Sequence, residues 1–210
     1  YRKNIVPCTK ILEFAIKKQV KNFILISSID VYGKIEKDVI YETDVCKPEN
    51  VYGLSKLACE KISYTFSHIY NLNVSILRFG PIVGPNMSKN LKIYKMINRL
   101  INGKKIKVDN PNSLVSFLSE DIASDAIIRA CNKKFKYSIF NITGDRLEII
   151  ELFKCFLNDK NKHNLNLEKV NITRKNLKIS NEKAKMKLGW RPNYNFKDIA
   201  SSFLQFNKNI

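Results

Sequence analysis

The sequence predicts an α/β fold with a buried parallel sheet, because short apolar runs alternate with helical segments. Phe23–Ile26 is an unbroken apolar run, and residues 74–78 form a second predicted strand. Runs of this kind suit strands that are buried on both faces. Residues 4–19 precede the first run, and residues 51–70 separate the two with helical periodicity. This alternation of helix and strand is typical of the α/β class.

The later part of the chain continues the same alternation. Residues 90–102 form an amphipathic helix, and Ile106–Val108 a short strand. Asp121 begins a helix that runs to about Cys131, where an acidic side chain favours the positive end of the helix dipole. The remaining predicted elements are a strand over 137–144 that ends in a turn, a helix over about 147–158, a polar loop with one short strand over 160–180, and a last helix over about 196–207.

Composition excludes several classes of protein. The 210 residues are 44% hydrophobic, which is typical of a globular chain. No apolar run approaches the length of a membrane span. The net charge is +18, but the lysines are scattered and form no basic stripe interleaved with aromatic residues. Nucleic acid is therefore a less favoured partner than a small anionic substrate, which a basic surface attracts.

The cysteines and histidines predict no metal site. Five cysteines occur, an odd number, and none forms a Cys-x-x-Cys pair. Reduced thiols in a cytoplasmic protein fit this pattern best. His68 and His163 are isolated in the sequence, so each is interpreted as a surface or packing residue.

Three residues can act together chemically. Ser28 lies at the carboxyl end of the first strand, where open α/β sheets bind their ligands. Tyr52 and Lys56 are four residues apart at a predicted helix start, so their side chains share one face. A lysine cation near a phenol is expected to lower the pKa of the tyrosine. A serine hydroxyl can hold a substrate oxygen while the tyrosine exchanges its proton.

Ser-Ser-x-x-Val-Tyr-Gly over 27–33, followed by Tyr-x-x-x-Lys over 52–56, resembles the extended short-chain dehydrogenase/reductase family. This family comprises NAD(P)-dependent enzymes that modify nucleotide sugars. The resemblance implies that Ser28, Tyr52 and Lys56 are catalytic, with Lys56 also binding the cofactor ribose. It also implies that the chain holds the later part of a Rossmann-type parallel sheet and a smaller α/β C-terminal substrate-binding part.

Further cofactor and substrate residues follow from the same resemblance. The cofactor-binding set is Ser27, Tyr52, Lys56, Phe79, Gly80 and Pro81, and the substrate-binding set is Ser28, Asp30 and Arg174. Arg174 matches no family motif; it, or a lysine, is a candidate to replace the family's arginine at position 115. Asp30 either contacts the substrate or supports the site, or is simply solvated. Asn4 matches an asparagine that supports the active site in the family, or is a plain helix cap. Val115 stands where many members have an arginine that grips the substrate diphosphate.

The resemblance implies residues 1–86 as the C-terminal part of an NAD(P)-binding Rossmann domain and residues 87–210 as mainly substrate-binding. None of the seven glycines forms the family's Gly-x-x-Gly-x-x-Gly phosphate loop. A βαβ unit needs ~30 residues, so we expect at least ~60 further residues before Tyr1 in the intact protein. We also expect the 210-residue chain alone to bind NAD(H) poorly, because the pyrophosphate has no helix N-terminus to rest on.

The resemblance favours an NAD(P)-dependent epimerase, or a reductase, acting on a nucleotide sugar. Dehydratases of the family place an Asp-Glu pair after the Ser/Thr, and here those positions are Ile29 and Asp30. The alternative is a catalytically incompetent fragment or degenerate relative that acts as a binding or scaffold protein. The expected partners are the nucleotide sugar and a second copy of the chain, paired through the helices near 4–19 and 51–70. Neither nucleic acid nor membrane is expected as a partner.

Overall fold

A computed structural model describes residues 3–34, 37–108, 110–157, 167–169, 178–193 and 195–208. The helices of this described part are α1 (Ile5–Lys17), α2 (Val51–Tyr70), α3 (Lys92–Ile101), α4 (Glu120–Cys131), α5 (Ile149–Cys155), α6 (Glu182–Leu188) and α7 (Phe196–Lys208). Its strands are β1 (Asn22–Ser28), β2 (Val39–Ile40), β3 (Asn73–Phe79), β4 (Ile82–Val83), β5 (Ile106–Val108), β6 (Leu114–Ser116), β7 (Leu118–Ser119), β8 (Tyr137–Ile142), β9 (Arg146–Glu148), β10 (Leu167–Lys169) and β11 (Lys178–Ile179).

The chain forms two compact units that alternate along the sequence. The first comprises Tyr1–Gly80, Ala123–Thr143 and Lys178–Arg191, and the second comprises the segments between and after them. The segment Ala123–Thr143 returns to the first unit because its strand β8 pairs with β3. The sequence predicts one boundary, after residue 86. The compact units instead divide the chain at several points, so the two divisions differ. Which part binds the cofactor and which the substrate stays a prediction.

The first unit contains the parallel sheet that the apolar runs predict. Its strand order is β1-β3-β8, and both pairings are parallel. Asn22 of β1 lies opposite Asn73 of β3, so the two strands also end together at Ser28 and Phe79. The α/β class and the parallel sheet are confirmed, and the carboxyl ends of these strands form one edge at which polar side chains can meet.

Helix α2 has a defined start and end. Asn50 caps it, and its side-chain oxygen accepts a hydrogen bond from the Gly53 N–H over 2.7 Å. Asn71 ends it in the left-handed conformation, with φ of 54°. Helix α1 packs against α2. The apolar core there contains Cys8, Leu12, Leu25, Cys59, Leu72, Val74 and Ile76.

The second unit has its own core and only short strand pairs among its described residues. Strands β5 and β10 pair in parallel, as do β4 and β7, whereas β6 and β9 are antiparallel. Aromatic and aliphatic side chains of α3, α5 and α7 fill the core, with Phe153, Phe156 and Phe203 at most 1% exposed. This packing gives the unit a hydrophobic centre of its own.

The predicted elements of the first unit are confirmed to within two residues at each end. In the second unit the predicted helix over about 147–158 is longer than the observed one. Residues 146–148 form strand β9, because they pair with β6, and α5 occupies only Ile149–Cys155. Helix α6 was not among the predicted elements. Most of the predicted loop over 160–180 lies outside the described residues.

Two observations concern the described residues as a set. None of their helices is both long enough and apolar enough to cross a lipid bilayer. No cluster of three or more histidine, cysteine or acidic side chains could hold a metal ion among them.

Candidate active site

Ser28 ends β1 and begins the turn that carries Asp30. A short 3₁₀ turn over Ile29–Val31 follows directly, and the Asp30 N–H donates to Ser28 Oγ over 3.2 Å. Ser28 is 9% exposed. Its hydroxyl is therefore held at the carboxyl end of a strand of the parallel sheet, as the sequence predicts.

Gly53 allows helix α2 to approach this turn. A Cβ added at Gly53 would lie 2.5 Å from the carbonyl oxygen of Asp30, closer than any real contact. Only a residue without a side chain fits between the helix and that backbone. Because Gly53 directly follows Tyr52, the close approach brings Tyr52 to Ser28.

Tyr52 lies close enough to Ser28 for the serine hydroxyl to lower the pKa of the tyrosine phenol. Partial burial raises the pKa of the Tyr52 phenol, the Ser28 hydroxyl lowers it, and the nearby Asp30 carboxylate raises it again, so that the net pKa is raised. The phenol is 49% exposed and thus accessible from solvent. One oxygen atom of a ligand can therefore contact both the Ser28 hydroxyl and the Tyr52 phenol.

Lys56 faces Tyr52 without lowering the pKa of its phenol below the ordinary value. The ammonium Nζ lies 5.7 Å from the centroid of the Tyr52 ring and donates to the Ile26 carbonyl over 2.8 Å. The expected lowering is therefore wrong for the chain alone, because burial and Asp30 raise the pKa of Tyr52 and Lys56 does not measurably lower it. The hydrogen bond to Ile26 places the ammonium beside the end of β1, with donors left for a ligand.

Asn4 supports this site rather than capping its own helix. It occupies the cap position of α1 but makes no side-chain capping bond. Its Nδ2 instead donates to Ser55 Oγ over 2.7 Å, and Ser55 Oγ donates to the Tyr52 carbonyl over the same distance. Of the two readings of Asn4, the structure favours support of the active-site helix.

The remaining predicted residues are placed as follows. Asp30 is exposed beside Tyr52, which is compatible with a substrate contact. Phe79 is buried at the end of β3, and the Gly80 N–H donates to the Ile142 carbonyl over 2.9 Å. Pro81 is exposed at the start of the second unit. Arg174 lies outside the described residues, and its role in substrate binding stays a prediction.

Ser27 has a different environment from that expected of a cofactor ligand. It is 2% exposed, and its Oγ donates to Glu60 Oε1 over 2.5 Å. Glu60 also forms a two-bond ion pair with Arg78, over 3.0 Å from Nε and 2.7 Å from Nη2. The hydroxyl of Ser27 is thus hydrogen-bonded to a buried side chain of the protein. Contact of Ser27 with a cofactor stays a prediction.

Sequence reasoning missed Glu60 and Arg78, although both leave a signal. Glu60 lies four residues after Lys56 and eight after Tyr52, on the same face of α2. Arg78 is a charge in an otherwise apolar strand and is 3% exposed. Burial lowers the pKa of its guanidinium, but the bonds and charge of Glu60 outweigh this and raise it. A charge buried in a strand indicates a buried partner.

Two of the free cysteines lie beside the site, and one of them, Cys59, is a poor nucleophile. Cys8 of α1 and Cys59 of α2 are buried, and both line a cavity of about 300 Å³ together with the partly exposed Lys56. Burial and the neighbouring Cys8 raise the pKa of Cys59 to about 12. The thiolate, which is the reactive form, is therefore scarce at neutral pH.

Comparison with known proteins identifies the family. A family model described as GDP-mannose 4,6 dehydratase matches residues 1–203 of the 210. The chain belongs to this family. The GDP-mannose 4,6-dehydratase family is of the extended short-chain dehydrogenase/reductase type, so the resemblance carried by the motifs around Ser28 and Tyr52 is confirmed.

Relatives within this family agree with that assignment. A UDP-glucuronate 4-epimerase of Thermodesulfobacterium geofontis is 28% identical over 213 residues, which cover 98% of this chain and 65% of the relative. An uncharacterized protein of Methanocaldococcus jannaschii is 28% identical over 200 residues, covering 91% of this chain and 60% of that protein. The chain thus spans less than two thirds of the length of these two family relatives.

A solved structure confirms the fold. The UDP-glucuronic acid 4-epimerase from Bacillus cereus, in complex with NAD, superposes with a TM-score of 0.85 at 20% identity. The superposition covers 98% of this chain and 65% of that structure. The Rossmann-type architecture predicted for this member of the dehydratase family is therefore confirmed.

Proposed function

We propose that this protein acts as an NAD(P)-dependent epimerase, or a reductase, on a nucleotide sugar. The observation that carries the proposal is the proximity of Ser28 and Tyr52 at the end of β1, with the Lys56 ammonium 5.7 Å from the centroid of the tyrosine ring. Family membership and the relatives named as UDP-glucuronate 4-epimerases support the class of substrate.

In this proposal the chain's own residues move one proton. Ser28 donates a hydrogen bond to the reacting sugar oxygen, and Tyr52 accepts the proton of that hydroxyl. The pKa of Tyr52 is raised in this chain alone, so we propose that the Lys56 cation favours the phenolate only once the cofactor and substrate are bound. A bound nicotinamide would supply the hydride acceptor that oxidation of the sugar carbon needs and, in an epimerase, would be the donor for the reverse transfer.

The residues present fit the reacting end of such a cofactor. Lys56 uses one of its three N–H donors on Ile26, which leaves donors for ribose hydroxyls at the end of β1. Ser28 and Phe79 mark the carboxyl ends of adjacent parallel strands, where open α/β sheets bind ligands. The glycine-rich loop that is expected to bind the pyrophosphate is not contained in this sequence.

Epimerisation is favoured over dehydration by the residues that follow Ser28. Ile29 cannot deliver a proton to a departing hydroxyl, and Asp30 is the sole acid of this turn. Asp30 lies close enough to Tyr52 for its charge to raise the pKa of the phenol. We propose that Asp30 contacts the substrate beside Tyr52, together with Ser28.

Substitution of the tyrosine tests the proposal. In the complete natural polypeptide with NAD and a panel of nucleotide sugars, Tyr52→Phe is expected to lower turnover by about 10²–10⁴-fold. Tyr64→Phe is the matched control, because Tyr64 is a tyrosine of the same helix that is 46% exposed. Product formation is followed by NMR of the sugar. Turnover by Tyr52→Phe at the rate of the Tyr64→Phe control would sink the assignment.

One observation supports the alternative function, that of a non-catalytic binding or scaffold protein. Val115 lies on β6 and packs against the core of the second unit, where the resemblance implies an arginine for the diphosphate. Calorimetric titration distinguishes the two functions. Binding of a nucleotide sugar without turnover in both the natural protein and Tyr52→Phe favours the alternative. A cytoplasmic location stays a prediction from the cysteine pattern.

A further inference from the structure

Three polar side chains lie next to one another across the central sheet, one residue before its strands end. Ser27 of β1 is the register partner of Arg78 of β3, and Arg78 is that of Asn141 of β8. All three are at most 3% exposed. Buried parallel strands normally carry apolar side chains at such positions. We refer to Ser27, Arg78 and Asn141 as the buried polar row.

Two further side chains close the row into a connected network. Glu60 of α2 accepts from Ser27 and from two nitrogens of Arg78. Tyr32 accepts from Arg78 Nη1 over 2.8 Å and donates to Asn141 Oδ1 over 2.6 Å. The Arg78 guanidinium also lies 4.8 Å from the centroid of the Tyr32 ring. Each member of the row is therefore hydrogen-bonded to Glu60 or to Tyr32.

The network holds both ends of the segment that contains Ser28. Residues 27–32 run from the end of β1 through the 3₁₀ turn, with Ser27 bonded to Glu60 at one end and Tyr32 bonded to Arg78 at the other. Ser28 and Asp30 lie between these two attachments. Glu60 belongs to the helix that carries Tyr52, so the network connects that segment to α2.

Stability alone does not account for a network of this kind. Burying Glu60 and Arg78 removes two charges from water, a cost that their attraction offsets only with good geometry. Well-packed apolar side chains of similar volume often stabilise a fold as well or better. What such a satisfied network adds is a defined arrangement of the elements that it joins.

We propose that Glu60 is a positioning residue, which through Ser27 and Arg78 fixes residues 27–32 against α2 so that Ser28 meets Tyr52. The inference rests on the proposed function, because its consequence is the geometry of the proton transfer. Misplacing reacting groups by about 1 Å can cost on the order of 10²-fold in rate. The network therefore acts on turnover more than on ligand binding.

Ser27→Ala is the most direct test. It removes one bond to Glu60 while the ion pair with Arg78 remains, so the charges stay paired. In the complete natural polypeptide we expect kcat to fall by about 10-fold, with KM for the nucleotide sugar within about twofold of the natural value. Ser27→Thr keeps the hydroxyl and is expected to recover most of the lost kcat.

Ser67→Ala is the matched control. Ser67 is a serine of α2 that is 0% exposed, and its Oγ donates to the Lys136 carbonyl over 2.6 Å, away from the network. Both variants lose one buried hydrogen bond, so their melting temperatures are expected to fall alike. An equal fall of kcat in both variants, or an unchanged kcat in Ser27→Ala, overturns the proposal.

A second readout needs no turnover. The Ser28 hydroxyl lowers the pKa of Tyr52, so a displaced Ser28 raises that pKa further. NMR titration of ring-labelled tyrosine, with Tyr52 assigned through Tyr52→Phe, is expected to show this rise in Ser27→Ala and not in Ser67→Ala. An equal pKa in both overturns the proposal even if no substrate is found. If Tyr52→Phe loses turnover while Ser27→Ala keeps a normal kcat, the proposed function stands and only the positioning role of Glu60 is refuted.

Discussion

At the scale of single residues, Tyr32 links the stability of the fold to pH. Burial raises the pKa of its phenol from 10.0 to about 12, although Arg78 acts in the opposite direction. The folded chain thus holds this proton more tightly than the unfolded chain does. The stabilisation is complete below pH 10 and is lost as the pH rises through about 12. At ~1.4 kcal/mol per pKa unit, it amounts to about 2–3 kcal/mol.

Tyr32→Phe is expected to reveal this dependence. At pH 8 the variant should be less stable by about 1–3 kcal/mol, because Arg78 and Asn141 each lose a buried partner. The difference in the free energy of unfolding between the two proteins should shrink as the pH rises above 10. The natural protein then loses the stabilisation that protonated Tyr32 provides, whereas the variant has none to lose. Urea unfolding between pH 8 and 11 measures it, with the half-exposed Tyr41→Phe as control. A difference that stays constant over this range contradicts the prediction.

The residues that sequence reasoning found and missed differ in how they act. Ser28, Tyr52 and Lys56 were predictable because each follows a local signal, the end of an apolar run or a four-residue spacing. Glu60 was not, since its partners Ser27 and Arg78 are 33 and 18 residues away. The pKa of Tyr52 was also predicted in the wrong direction, because burial cannot be inferred from the spacing to Lys56.

At the scale of secondary-structure elements, the contact between α2 and the 3₁₀ turn depends on one missing side chain. Gly53→Ala would place a Cβ 2.5 Å from the Asp30 carbonyl oxygen, so the helix start or the turn must move. We expect a loss of about 1–3 kcal/mol in the free energy of unfolding. This loss would arise despite a helix propensity that favours alanine by about 1 kcal/mol.

Val51→Ala provides the comparison, because Val51 is 71% exposed at the first position of the same helix. Guanidinium unfolding of both variants should show a lower midpoint for Gly53→Ala alone. A Gly53→Ala protein more stable than the natural one would mean that propensity dominates and that the close contact does not hold.

Elements were predictable where their own sequence specifies them. Helix α2 has a cap and an apolar face, and β1 has an unbroken apolar run. Strands β4 and β9 have no hydrophobic alternation of the kind that made Ile106–Val108 predictable, and they form because β7 and β6 pair with them. These strands depend on pairing with residues far away in the sequence, so a local sequence pattern cannot predict them.

At the scale of the whole molecule, we propose that two copies pair through α1 and α2, as the family resemblance implies. The inner faces of these helices carry core residues such as Leu12 and Cys59. Apolar side chains also remain exposed on them, Ile11 and Phe14 of α1 by 55% and 58%, and Leu54 of α2 by 58%. A helix that is apolar on two sides commonly has a second partner.

Phe14→Glu tests this pairing. Sedimentation equilibrium of the natural protein should give the mass of two copies, and the variant should dissociate at least about 10-fold more readily, because a carboxylate replaces buried apolar area. Ile128→Glu is the control, since Ile128 is a 60% exposed apolar residue of α4. Each chain carries a net charge of +18, so the pair should also tighten with added salt, which screens the repulsion. A natural protein of single-copy mass in 0.5 M salt, or equal dissociation of the two variants, excludes pairing through α1.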